Sequence, residues 1–248
     1  EKIINKFIAG SEEKLAKAQQ EAKAILGEDS TSDSKKGDVE DDLELPLQPD
    51  TLLMDSLVVE EVATEDKDRV ERSVVNPWLR FCWEAYKSCL DVCKSNSRLE
   101  VVYQNIALQA FNFCKIHDRR SEFRRLCEQI RKELQNAQKY SNQTFAINFA
   151  DVDTLTRHLD LRFIQLDNAI ELELWQEAFR SVEDIHGLLV YPGAKRATKA
   201  SMMANYYNKL TKIFTAEGGS GTMAVFHAAA WSRYLSYGDV SEKTSAAT

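Results

Sequence analysis

Apolar residues recur along this chain with a period near 3.6 and never alternate over a strand's length, so the pattern predicts helices and no sheet. Over 1–26, Ile4, Ile8, Leu15, Ala18, Ala22 and Ile25 form a thin apolar stripe among Lys and Glu; Gly27 is its expected stop. A polar run to Asp42 follows, too poor in apolar side chains to offset the entropy cost of ordering. Leucines and valines return in "LELPLQPDTLLMDSLVVEEV", where Pro46 and Pro49 hold an extended entry and Asp50 or Thr51 caps a short helix.

Asn76-Pro77 reads as a cap followed by a first-turn proline, opening the main helical region. One stripe runs Leu79, Cys82, Trp83, Tyr86, Leu90 and Cys93; the next, capped by Ser97, runs Leu99, Val102, Tyr103, Ile106, Ala110, Phe113 and Cys114. A third begins after His117-Asp118 with Phe123, Leu126, Cys127, Ile130 and Leu134. From Leu159 to Leu189 the periodicity continues without Gly, Pro or a phase break until Gly187, so it alone reads one long helix. "EAYKS" at 84–88 returns as "EAFRS" at 177–181, and "EFRRLCEQI" at 122–130 resembles "AFRSVEDI" at 178–185. Short, unevenly spaced matches suit degenerate two-helix repeats.

Composition narrows the class. Nine Gly and four Pro imply few turns, and 44% hydrophobic residues are ordinary for a globular chain. No apolar run approaches the ~20 residues of a membrane span, and no leader pattern opens the chain. A start at Glu1 and the polar end "SEKTSAAT" read as a piece of something larger. Five cysteines on apolar helical positions, without a Cys-x-x-Cys pair, read as reduced, packed thiols of a cytosolic or nuclear protein. The net charge of −7 conceals a segregated block, since residues 28–72 hold 16 acidic and 5 basic side chains and leave the remainder positive. Such a block is a solvated linker or a strip for a basic partner.

Candidate chemistry is sparse. Glu183 and His186 have the Glu-x-x-His spacing of a metal half-site, but a di-metal bundle needs a second such motif and no other histidine supplies it. The competing reading makes Trp175, Ala178, Phe179, Val182, Ile185 and Leu189 a packing stripe with Glu177 and Asp184 outward, His186 in the last turn and Gly187 as stop. Cys114 with His117 imitates a nucleophile and base but lacks an oxyanion turn, and "GGSGT" at 218–222 lacks the strand and the Gly-Lys-Ser/Thr ending of a phosphate cradle. No catalytic residue, metal or cofactor is therefore assigned. Basic residues carry more: Arg120, Arg124 and Arg131 share a helix face, and Lys195, Arg196 and Lys199 form a second group. Both suit contact with RNA phosphate or an acidic surface, or a solvent face paired with Glu122, Glu128 and Glu133.

"NPWLRFCWEAYKSCLDVCKSNSRLEVVYQNIALQAFNFC", "RRSEFRRLCEQIRKEL", "LDNAIELELWQEAFRSVEDIHGL" and "MANYYNKLTKIF" together resemble the N-terminal part of the family that forms the largest subunit of eukaryotic translation initiation factor 3. The resemblance covers most of 76–236 and extends more weakly to the first helix. It implies an all-α, right-handed solenoid of antiparallel helical pairs, TPR/HEAT-like, leading towards a PCI domain, with no enzymatic activity. It also implies a helical pair turning near Leu172–Leu174 in place of one long helix. The implied partners are other subunits of the factor, notably its c subunit through a downstream PCI domain, together with small-ribosomal-subunit proteins and rRNA or mRNA near the mRNA exit side, in the cytoplasm. Related PCI complexes, the proteasome lid and the signalosome, share that plan; a helical metalloprotein around Glu183 and His186 is the rival of another class. The expected organisation is a helix at 1–26, an acidic linker at 27–75 with a short helical segment near 50–63, a repeat domain at 76–237 and a polar tail at 238–248. Nothing after Tyr237 resembles the PCI module, and "GLLVYPGAKRATKAS" and "TAEGGSGTMAVFHAAAW" depart from the family where it has connecting loops.

Overall fold

The computed structural model describes residues 2–26, 43–44, 74–94, 96–140, 145–191, 193–216 and 221–246. The expected linker disorder and the short helix near 50–63 lie outside these residues, as do Gly27 and most of the "GGSGT" stretch. All regular structure among the described residues is helical, with no strand among them: α1 (Lys2–Leu26), α2 (Asn76–Cys93), α3 (Glu100–Ile116), α4 (Arg120–Lys139), α5 (Val152–Glu171), α6 (Trp175–Leu189), α7 (Ala194–Ala197), α8 (Ala200–Ala216) and α9 (Gly221–Ala246). Two compact units form, Glu1–Val92 and Cys93–Thr248.

In the first unit α1 buries Ile8, Ser11, Leu15, Ala18 and Ala22, alternating three- and four-residue steps that keep one stripe inward. From α2 come Leu79, Cys82, Trp83, Tyr86 and Leu90, all nearly inaccessible. Ser11 sits in this apolar stripe because its hydroxyl donates to Ile8 O at 2.7 Å, while its own carbonyl accepts the Cys82 thiol at 3.3 Å. Tyr86 donates to the Glu12 carboxylate, and the Trp83 indole donates to Glu44 at 2.9 Å. Each large apolar side chain buried this way contributes about 1.5–3 kcal/mol.

The second unit is built from helical hairpins. Helix α3 packs on α4 and on α5, α4 on α6, and α5 on α6, α7 and α8; α6 meets α7 and α8, and α8 meets α9. Each hairpin thus buries one face on the next, the logic of a repeat stack. The α3–α4 and α5–α6 turns are both Schellman closures. In one, Asp118 N donates to Lys115 O at 3.3 Å and Arg119 N to Cys114 O at 2.8 Å; in the other, Glu173 N donates to Ile170 O at 3.1 Å and Leu174 N to Ala169 O at 2.9 Å. The left-handed residue is Asp118 in the first (φ 51°) and Glu173 in the second (φ 57°), where glycine is the usual occupant.

Aligning the two turns sets the true repeat register. Asp118 matches Glu173, Glu122 matches Glu177, Arg125 matches Arg180, Glu128 matches Glu183 and Ile130 matches Ile185, at one constant offset. Glu122 and Glu177 are both the third residue of their helices and both buried, where a carboxylate meets the positive helix terminus. The "EAYKS"/"EAFRS" likeness has no structural counterpart, because Glu84 is exposed in mid-helix while Glu177 is buried in a first turn.

Local corrections follow. Residues 159–189 are two helices broken at 172–174, as the pair implied by family resemblance requires. Ser97 does not cap α3: Leu99 is the N-cap, and the approach is shaped by Asn96, whose Oδ1 accepts from Arg98 N at 3.0 Å. Gly187 does not stop α6, which runs to Leu189. Phe179 is 43% exposed, whereas Glu177 and Ser181 are buried beside Ala178, Ile185 and Leu188. The helix is therefore rotated from its expected stripe, because polar partners across the interface accept that face. Helix α9 runs to Ala246, through much of the expected tail.

Candidate functional site

The polar centre of the second unit is a set of ionic contacts joining α4, α5 and α6. Arg131 on α4 donates from Nη2 to Glu177 Oε1 at 2.6 Å, from Nε to Asp184 Oδ2 at 3.0 Å and from Nη1 to Glu128 Oε2 at 2.9 Å. Arg162 on α5, 1% exposed, donates from Nη1 to Gln165 Oε1 at 2.8 Å and to Asp184 Oδ2 at 3.4 Å, and from Nη2 to Ile130 O at 3.1 Å. Gln165 in turn donates to Ser181 Oγ at 2.9 Å, and Ser181 donates to Glu177 O at 2.9 Å. Two guanidiniums balance the buried carboxylate of Glu177 and the partly buried one of Asp184, so the charges are paired where water screens them weakly.

This arrangement removes Arg131 from the expected basic face. Its side chain is 13% exposed and committed to three carboxylates, which also turns Glu177 and Asp184 inward, contrary to their expected outward position. Desolvation works against the Arg131 charge, but bonding to Glu177 and Asp184 outweighs it and raises its pKa. Arg120 and Arg124 remain at the surface, Arg120 with Asp118 at 3.5 Å. In the second basic group Arg196 and Lys199 are exposed; the Lys195 side chain lies outside the described residues. Burial raises the pKa of Asp160 on α5, and the Lys199 charge partly counters that shift.

The residues weighed for chemistry stand apart. Glu183 and His186 are both exposed on α6, and among the described residues no three His, Cys, Asp or Glu side chains come together as a metal site. Cys114 is fully buried, while His117 lies against the Phe113 ring at 4.8 Å, with its pKa lowered to about 4 by burial and by the Arg119 charge. All five cysteines are buried thiols outside any disulfide. Burial raises the Cys82, Cys93 and Cys127 thiols, Glu177 adding to the effect at Cys127.

His158 and Glu100 were not foreseen as a unit. Glu100, 7% exposed, accepts from Arg157 Nε at 3.2 Å and from Thr154 Oγ1 at 3.3 Å, and lies 3.8 Å from His158 Nε2. Burial lowers the His158 pKa to about 4, helped by the Arg162 and Arg157 charges, so the imidazole is neutral near pH 7 and this is no ion pair. Beside it, a cavity of about 20 Å³ lined by Tyr103, Ile130, Leu134 and Glu133 has room for a water and nothing larger. The arrangement is structural: it ties α3 to α5. Among the described residues no helix is long and apolar enough to cross a membrane.

Comparison with known proteins agrees with this repeat architecture. The family model described as "eIF3a, PCI domain, TPR-like region" matches residues 1–248. A protein of Mycosarcoma maydis, named as the A subunit of eukaryotic translation initiation factor 3, is 50% identical over 234 residues, 94% of this chain and 21% of that protein. Its namesake in Aspergillus oryzae is also 50% identical over 234 residues, with the same coverage of each chain. The one in Aspergillus terreus is 51% identical over 234 residues, again 94% of this chain and 21% of the relative. The chain thus spans about a fifth of the length of the curated relatives it matches.

Proposed function

The chain belongs to the eIF3a family, as its PCI-domain TPR-like region, and on that premise we propose that it serves as a non-catalytic scaffold segment of eukaryotic translation initiation factor 3 in the cytoplasm. Its helical hairpins hold surfaces for other subunits of the factor, the c subunit among them, and for the small ribosomal subunit near the mRNA exit side. The family match over the whole chain carries this reading. The chemistry is consistent with it: the buried ionic contacts are spent on joining helices, and the polar groups left outside are spread along surfaces. Within it, residues 27–75 act as an acidic linker between the first helix and the repeats.

Arg120 and Arg124, with Lys195, Arg196 and Lys199, are the contacts proposed for rRNA, mRNA or an acidic protein surface; Arg131 is left out because its guanidinium is occupied. Co-sedimentation with purified small ribosomal subunits tests the reading. Binding is expected at low salt, falling as salt rises, and weakened by Arg120→Glu with Arg124→Glu. Failure to sediment with the ribosomal particle at any salt would count against the ribosomal part. Unchanged binding by the double variant would retire the α4 contact alone.

A further inference from the structure

The second basic group has a feature its role as a contact does not use. Lys195, Arg196, Ala197 and Thr198 place two cations three and two residues before a hydroxyl, the charge pattern that basophilic Ser/Thr kinases read in their substrates. Thr198 occupies the short joint between α7 and α8, in an extended conformation (φ −99°, ψ 129°). Arg196 and Lys199 on either side are exposed, and Thr198 itself is partly so. Its hydroxyl is held by one bond, donated to Ala194 O at 3.0 Å, a carbonyl that also accepts the Thr198 N–H at 3.0 Å. Losing the hydroxyl bond therefore strands no acceptor.

The segment that must enter a kinase cleft is also cheap to unravel. Helix α7 has four residues, so opening it breaks a single turn and the packing of Ala194, and leaves the 17-residue α8 intact. Between Asp184 and Asp239 the sole carboxylate in the sequence is Glu217, so the segment itself is basic; across the helix interface Asp160 on α5 lies within electrostatic reach of Lys199.

We propose that Thr198 is the acceptor site of a basophilic protein kinase. The γ-phosphoryl group of ATP passes to Thr198 Oγ1: the hydroxyl O–H bond breaks, an O–P bond forms, and the bond between the γ-phosphorus and its bridging oxygen breaks, releasing ADP. The hydroxyl proton passes to the kinase base. The product carries about two negative charges at neutral pH, which cut the formal +3 of Lys195, Arg196 and Lys199 to about +1. This regulatory consequence rests on the reading of that group as an acidic-surface contact; the acceptor assignment does not.

The 248-residue chain is incubated with ATP and the catalytic subunit of a cyclic-AMP-dependent kinase, and the phosphate is mapped by mass spectrometry. One phosphate on Thr198 is expected, absent in Thr198→Val and slowed at least about tenfold in Arg196→Ala, with both variants melting as the parent does. Phosphate on Ser201 in place of Thr198, or none on the folded chain, overturns the assignment; labelling of a 193–201 peptide alone would attribute that failure to the fold. Phosphorylated and unmodified chains are then compared on small ribosomal subunits. Loss of binding on phosphorylation supports the switch, whereas quantitative Thr198 phosphorylation with unchanged binding overturns the switch and leaves the acceptor assignment standing.

Discussion

Replacing Arg131 by methionine tests whether the ionic contacts among α4, α5 and α6 hold the second unit together. The substitution keeps most of the aliphatic stem and removes the guanidinium, and with it the bonds to Glu177, Asp184 and Glu128. Asp184 keeps Arg162 at 3.4 Å, and Glu128 is half exposed, so neither contributes much to the loss. Glu177 decides the magnitude. It is 5% exposed, and its remaining cation, Arg180, stands 3.7 Å away on a side chain 56% exposed, worth under about 1 kcal/mol. A carboxylate stranded this way costs about 3 kcal/mol, at the lower end of the range for a broken buried pair. Urea titration at neutral pH reads this as a lower midpoint at unchanged slope. Adding Glu177→Gln removes the stranded charge, so the double variant should be more stable than the sum of the singles by about 1.5 kcal/mol. A loss below about 1 kcal/mol for Arg131→Met, or strict additivity in the cycle, would mean that water screens these charges and the contacts do not clamp the repeat.

Three further outcomes follow from the same structure. Glu173→Gly should raise stability by about 0.5 kcal/mol, because relief of the left-handed strain exceeds the extra chain entropy of glycine, while Glu173→Ala should give no gain; a destabilised Gly variant contradicts the turn assignment. His117 and His158 titrate near 4 in the folded chain, below the ~6.5 of an unfolded histidine, so the unfolded state binds more protons between those values. Stability should accordingly be complete above pH ~6.5 and fall as pH drops towards ~4, by up to about 1.4 kcal/mol per pH unit for each group, and His158→Gln should flatten part of that slope in urea titrations. None of the five buried cysteines should react with a thiol reagent in native buffer, and all should react in urea; rapid labelling without denaturant would contradict their burial.

The helical class, the stripes of α2 to α4 and the break at 172–174 were legible because burial of apolar side chains sets the period and family resemblance sets the turn. The rest turned on polar residues that the period cannot sort. Asp118 and Glu173 end their helices where a reader of glycine signals looks elsewhere, to Gly187, which sits inside α6. Arg162 shares the buried stripe of Leu155, Leu159, Leu166 and Ala169, and an arginine at such a position was the one available sign of buried charge. Without its partners in view, Glu177 and Asp184 read as solvent-facing and Arg131 as a free cation. Their true orientation depends on contacts between helices distant in sequence, which no single helix's pattern records.

The central claim is that this helical stack is a scaffold piece of the initiation factor, and its most direct test is capture. The 248-residue chain, immobilised, is offered purified subunits of eukaryotic translation initiation factor 3 and, separately, small ribosomal subunits. Retention of factor subunits and of the small ribosomal particle, surviving a wash at physiological salt, is the predicted result. Retention of neither, by a chain whose helical spectrum and cooperative unfolding show that it is folded, would contradict the account.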